Sequence, residues 1–420
     1  MSFFPRIKEI KRRDWIMAGV MIVLCAVLFF VDTMPPAAEQ PGTKERAVVL
    51  ETDDSGLRQI GTVRMGTQIL KVRMLSGQWK GRDFHAFNEL RAQMDLDKVF
   101  VPGDELGGFT ALNLQGVEFF PMEDMVENLA GLDAIIVELQ EIGARYSPII
   151  DLMGALFGTI HQQGLEISVY VLDRENPTGR SVEGTMGTLG FPHRHGLTLG
   201  EISNMFHSEM GAKFPLHIVS YLVRSATQYM MPWSIPPMED VAGMFTAGFY
   251  GGQYLWRGTN VTPGLGTTRP YEQFGAPFMK SLSDYCVRNG YENWNDPRNP
   301  IYDPATFIRW TKFVPQDGRY QGHECYGFQL IPNPGVQYHA LAHALRIMRF
   351  LVQECPEFDV ECGLEELLDD NILMEYVRGV DIWNEVKENI KVEEQKWIKK
   401  AKKYLLYDDS LWRIKQIFSK

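Results

Sequence analysis

Two groups of acidic residues each follow a short apolar run. Glu138, Gln140 and Glu141 stand at the end of AIIVEL (134–139), and Asp173, Arg174 and Asn176 follow ISVYVL (167–172). Glu183 lies in the loop beyond, and His195 precedes Gly196 ahead of LTLGEISNMF (197–206). Paired carboxyl groups suit glycoside hydrolysis. One stays protonated to serve the leaving oxygen, and the other attacks the sugar or activates water. A separation of ~5–5.5 Å retains configuration and ~6.5–9.5 Å inverts it. Acidic residues also cap helices and end strands, so both readings stand for Glu138, Glu141 and Asp173. Thr198 and Glu201, three residues apart, fit a capping box, which gives Glu201 a backbone role at least as good as a catalytic one. His195 either serves a ligand or bonds the backbone. A second polar set is WRGTNVTPGLGTTRPYE (256–272), with three Gly and four Thr ahead of Arg269. Such a loop offers amide N–H groups and hydroxyls to a sugar or an anion, or is an ordinary Gly-rich surface loop. GLGTT lacks the spacing of a dinucleotide fingerprint.

These residues need elements to position them. The run at 134–139 is rich in Ile and Val, which predicts a strand buried on both faces. Ser147 to Gln163 has helical apolar spacing, with Gly164 as a stop. Residues 167–172 form a second strand, which completes a βαβ unit. Ligands of such sheets bind beyond the carboxyl ends of the strands, where Glu138, Glu141, Asp173 and Arg174 fall. PLHIVSYLV (215–223) reads as another strand, and 341–355 and 364–417 as largely helical. Glu365, Glu366, Asp369 and Asp370, and Lys396 to Lys403, read as solvated helix faces. Met230, Met231, Met238 and Met244 read as packing.

The whole chain has 420 residues, 45% hydrophobic and 23% charged, with net charge −11 and five cysteines. This composition is that of a globular protein, and its charge argues against a nucleic-acid partner. No CxxC pair, GKS/T loop, HExxH or GxSxG motif is present, and no metal or cofactor is expected. Residues 1–13 are basic, and Trp15 to Val31 run seventeen residues without a charge. That is roughly 25 Å of helix, the short end of a membrane span. Residues 14–34 are therefore expected to be an uncleaved transmembrane helix, with the basic tail cytoplasmic and the body extracytoplasmic. Residues 35–46 read as a linker, and 47–106 as a small β module of short β-branched runs and turns.

From residue 1 to about 106 the chain resembles the N-terminal part of the YibE/F membrane-protein family, on VVLETDDSG, VRMGTQILKVRMLSGQWKGRDFHAFNEL and DLDKVFVPGDEL. That resemblance implies attachment to the cytoplasmic membrane. From about 107 to 408 the chain resembles the NamZ-type exo-β-N-acetylmuramidase family, on GLDAIIVELQEIGARY (131–146), VLDRENPTG (171–179), VEG (182–184), RHGLTLGE (194–201), GTNVTPGLGTTRPYE (258–272), HECYGFQL (323–330) and YLLY (404–407). This resemblance implies an α/β fold, with a Rossmann-like parallel-sheet subdomain and a lid-like α+β subdomain, followed by a tail at 409–420. It implies a hydrolase that takes terminal N-acetylmuramic acid from a peptidoglycan-derived saccharide. Glu141, Glu183 and Glu138 become the catalytic candidates. Asp173, Arg174, Asn176, His195, Thr259, Asn260, Thr267 and Arg269 become substrate-binding candidates. Six departures stand out. The family's first strand with its Asn-Gln-Thr-Gly turn, and its Pro-Glu-His-Gly segment with the favoured catalytic glutamate, are not found, and the β module occupies their place. Leu114-Gln115-Gly116 stands for Leu-Tyr-Gly. Glu138-Leu139-Gln140-Glu141 stands for Asp-x-Gln-Asp. Arg257-Gly258-Thr259-Asn260 stands for Glu-Gly-Thr-Asn, and PWSIPPMED (232–240) lacks an expected Asn. A catalytically impaired muropeptide-binding relative, and a membrane structural protein with a vestigial body, are the alternatives.

Overall fold

The computed structural model describes residues 60–64, 96–101, 118–174, 176–219, 240–241, 243–333 and 335–407. All of them fall in one compact unit, Ala47–Lys420. Its first half is a six-stranded sheet: β1 (Ile60–Arg64), β2 (Leu96–Val101), β3 (Glu118–Pro121), β4 (Ala134–Glu138), β5 (Ser168–Leu172) and β6 (Leu216–Val219). The spatial order is β3-β2-β1-β4-β5-β6, and every pairing is parallel. The order turns outward on both sides of the β1/β4 pair, which is the switch point of a doubly wound sheet.

This topology corrects the expected β module. Residues 60–64 and 96–101 are central strands of the main sheet. Ile60 pairs with Ala134 and Arg64 with Glu138. A strand at 60–64 therefore stands in the middle of the main sheet. The rest of 1–106 lies outside the described residues, and so does the expected span at 14–34. No helix among the described residues is long and apolar enough to cross a membrane.

Every residue of β4 is buried, as its β-branched run requires between two helical layers. The helix α1 (Pro148–Gln163) starts where the Ser147 side chain accepts from the Ile149 amide, with Pro148 in the first turn. It stops at Gly164 in the left-handed region. Its stripe of Ile149, Met153, Leu156, Phe157 and Ile160 packs on Ile135, Val137, Val169 and Val171. The helix α2 (Leu199–Met210) carries the capping box: the Glu201 amide donates to the Thr198 hydroxyl, and the Thr198 amide donates to the Glu201 carboxylate.

Among the described residues the second half holds α3 (Met244–Gln253), a three-stranded antiparallel sheet and five further α-helices. The strands are β7 (Gln273–Ala276), β8 (Thr306–Phe313) and β9 (Cys325–Pro332), in the order β7-β9-β8. The helices are α4 (Tyr285–Arg288), α5 (Ala340–Glu354), α6 (Leu364–Leu368), α7 (Asn371–Arg378) and α8 (Trp383–Ala401). A separate core forms here around Trp256, stacked on Phe274 at 4.3 Å, with α5 contributing Leu341, Leu345, Met348 and Leu351. The chain then returns to the first half. Trp397 packs against Phe191, and the Tyr407 hydroxyl donates to Asp173.

Candidate active site

Beyond the carboxyl end of β4 the chain turns through Glu141-Ile142-Gly143-Ala144-Arg145. Gly143 sits at φ +87, and a Cβ there would lie 2.2 Å from the Thr178 hydroxyl and 2.7 Å from the Asn176 side-chain oxygen. Only glycine fits. Three short stretches are stitched by backbone bonds: Gly143 and Arg145 bond to His195 and His193, and Arg194 exchanges two bonds of 3.0 Å with Glu183. Glu141, Glu183, His193, Arg194 and His195 are thereby brought together, each at most 6% exposed.

Glu141 is held through one oxygen. Its Oε1 accepts from the Gly143 amide at 2.8 Å and from His195 Nε2 at 3.2 Å. His195 Nδ1 accepts from the Leu197 amide at 3.1 Å, which assigns the ring proton to Nε2. The other oxygen, Oε2, is buried and has no hydrogen-bond partner among the described residues. A buried polar atom left in that state is costly in a purely structural role.

Glu183 has an ion pair at Oε1, which makes no hydrogen bond among the described residues, and contacts at Oε2. Arg194 lies 2.5 Å from Oε1, and Oε2 faces His339 Nδ1 at 3.4 Å and the Leu341 amide at 3.3 Å. His339, the N-cap residue of α5, also meets Glu394 of α8 through Nε2 at 3.2 Å. Burial works against an imidazolium there, but the two carboxylates outweigh it and hold its pKa above the ordinary value. His193 behaves oppositely. Burial, with Arg145 and His339 nearby, pushes its pKa well down, so its ring is neutral. Its Nδ1 lies 2.6 Å from the Tyr146 hydroxyl.

The remaining candidates have structural partners. Glu138 faces Arg174 at 3.4 Å, both buried. Asp173 accepts from four donors: the Arg174 and Gly200 amides on Oδ1, and the Thr198 and Tyr407 hydroxyls on Oδ2. It thus anchors the start of α2. Burial raises its pKa to about 6, against the pull of these bonds. Asn176 closes a turn, accepting from the Thr178 amide and donating to the Leu197 carbonyl. Thr259, Asn260, Thr267 and Arg269 belong to the second half and do not join Glu141. Thr259 donates to the Trp256 carbonyl, and Asn260 bonds to the backbone of Glu357 and Asp359. Thr267 and Arg269 line a groove of about 430 Å³ against β8, where Arg269 pairs with Glu272. Asn260 and Thr259 are satisfied locally, so the expected grouping of the Gly/Thr loop with the carboxylates is not found in the described residues.

Sequence reasoning overlooked Arg194, His193, His339 and Glu394. The first two stand just before His195, but their partners, Glu183 and Tyr146, become neighbours only on folding. Among the described residues no group of three or more His, Cys, Asp or Glu side chains is placed to hold a metal ion.

Residues 91–236 match the family model described as exo-beta-N-acetylmuramidase NamZ, N-terminal, and residues 248–407 the corresponding C-terminal one. The matched region thus opens before the Gly107 boundary expected from the motifs. The curated peptidoglycan beta-N-acetylmuramidase NamZ of Bacillus subtilis (strain 168) is 27% identical over 324 residues, 72% of this chain and 74% of that protein. Two crystal structures of DUF1343 family proteins from Bacteroides fragilis NCTC 9343 superpose with TM-scores of 0.65 and 0.59 at 19% identity. Each match covers 84% of this chain and 94% of the other. At that identity the likeness is one of fold. With both family domains matched in order over most of its length, the chain belongs to the NamZ family.

Proposed function

We propose that the protein is a glycosidase that removes terminal N-acetylmuramic acid from peptidoglycan fragments. The observation that carries this reading is the Glu141 carboxylate. One oxygen is fixed by His195 and the Gly143 amide, and the other is buried without a partner among the described residues. The name of the Bacillus subtilis relative supports the substrate class. Glu141 is the carboxylate that meets the sugar, as nucleophile or base. Glu183, paired with Arg194 and facing His339, orders its loop.

The role of Glu141 has a leaving-group signature. On a disaccharide with a poor leaving group, Glu141→Gln lowers kcat by about 100-fold or more. On a p-nitrophenyl β-N-acetylmuramide, whose leaving group needs no proton, Glu141→Gln does not recover the rate. Wild-type rates in Glu141→Gln, or recovery on the aryl substrate, overturn the role of Glu141 as nucleophile or base.

A second reading, binding of the saccharide without cleavage, is favoured by one observation: Glu138, Asp173 and Glu183 are all engaged by partners. Turnover by the wild-type protein eliminates it. The charge pattern of residues 1–34 supports a further proposal, that the enzyme is tethered to the cytoplasmic membrane with its body outside.

A further inference from the structure

Arg257, near this site, has no carboxylate partner among the described residues. Arg257 is exposed on the 3-10 turn Tyr254–Gly258, which follows α3. Its guanidinium lies over the Tyr254 ring at 5.4 Å and donates to the Tyr271 hydroxyl at 3.2 Å. In a 3-10 turn residues i and i+3 eclipse one another, which places Arg257 over Tyr254. The turn is fixed: a Cβ on Gly258 would lie 2.6 Å from the Leu364 Cα. Tyr254 in turn stacks on Tyr146 at 4.6 Å, and Tyr271 shares a buried cluster with Ile142 and Ala144, the neighbours of Gly143. The cation is thus one side-chain layer from the Glu141 turn. A guanidinium held by two tyrosines, with N–H groups left over, suits a carboxylate held by two parallel hydrogen bonds.

We infer that Arg257 binds a carboxylate carried by the substrate saccharide and sets the enzyme's preference for an acidic over a neutral sugar. This rests on the proposed function, in which the terminal sugar bears an O-lactyl carboxylate. The test uses the intact chain and two probes, an aryl β-N-acetylmuramide with its free lactyl carboxylate and the same compound as the neutral methylamide. The wild type favours the acid by about tenfold in kcat/KM, equivalent to about 1.4 kcal/mol. Arg257→Gln brings the ratio close to one, mainly through KM, and Arg257→Lys keeps part of it. A wild-type ratio near one, or an unchanged ratio in Arg257→Gln, overturns the inference. If the wild type hydrolyses neither probe, the proposed function fails. Calorimetry with N-acetylmuramic acid and N-acetylglucosamine then decides this inference alone: binding of the acidic sugar that Arg257→Gln loses supports it, and equal binding by both proteins, or none by either, overturns it.

Discussion

At Asp173 four hydrogen bonds converge on one buried carboxylate, and the Tyr407 hydroxyl among them comes from 234 residues away at 2.6 Å. The residue therefore works as a fastener between the start of α2 and the chain end. Asp173→Asn keeps the shape but turns two acceptor positions into donors that face donors. Its expected cost is about 1–3 kcal/mol in chemical denaturation, with sugar hydrolysis slowed far less than by Glu141→Gln. Tyr407→Phe is expected to be non-additive with it, because both changes break the same bond; strict additivity in the double-mutant cycle would contradict that bond. The placement of Asp173 at the sheet edge was legible from its position after an Ile/Val run. Its role was not, since Thr198, Gly200 and Tyr407 become neighbours only on folding. Glu141 and His195 were nameable for the same positional reason, and the capping box at Thr198 and Glu201 was readable because its partners are three residues apart.

Elements tell a similar story at longer range. The strands β4 and β5 and the helices α1 and α2 followed from local pattern, cap and stop residues. The strands β1 and β2 were recognisable as strands, but their sheet was not. A β-branched run does not state its partner, and β1 pairs with β4 across some seventy intervening residues. His339 shows what such distant contacts do. It joins the start of α5 to Glu183 in the loop after β5 and to Glu394 on α8. Its raised pKa has a definite consequence for stability. The protonated ring is favoured in the folded state, so its contribution is complete below the ordinary histidine value of 6.5 and is lost as pH rises through the raised folded value. The melting temperature of the wild type is expected to fall across that window more steeply than that of His339→Gln. Parallel profiles, or a wild type that gains stability with rising pH, would contradict the charged link.

Over the whole molecule, the two halves keep separate cores and are tied by the chain's return. The Trp397 indole donates to the His195 carbonyl at 2.8 Å, and the Leu406 amide to Glu201 at 3.1 Å. His195, which orients Glu141, is thus braced by the C-terminal segment, so the site and the strap are coupled parts of one structure. The fold class and the sheet edge were legible from sequence. The split of the expected site residues between Glu141 and a groove on the far sheet was not, because a Gly/Thr loop carries no address. The central claim is that this edge cleaves a terminal muramide with Glu141 at the reacting carbon. The measurement that tests it most directly is release of N-acetylmuramic acid from a disaccharide bearing that sugar at its non-reducing end, followed for the intact wild type and for Glu141→Gln. Release by the wild type and a loss of about 100-fold or more in a folded Glu141→Gln variant is the expected result. Equal release by both, or none by a folded wild-type protein, would contradict it.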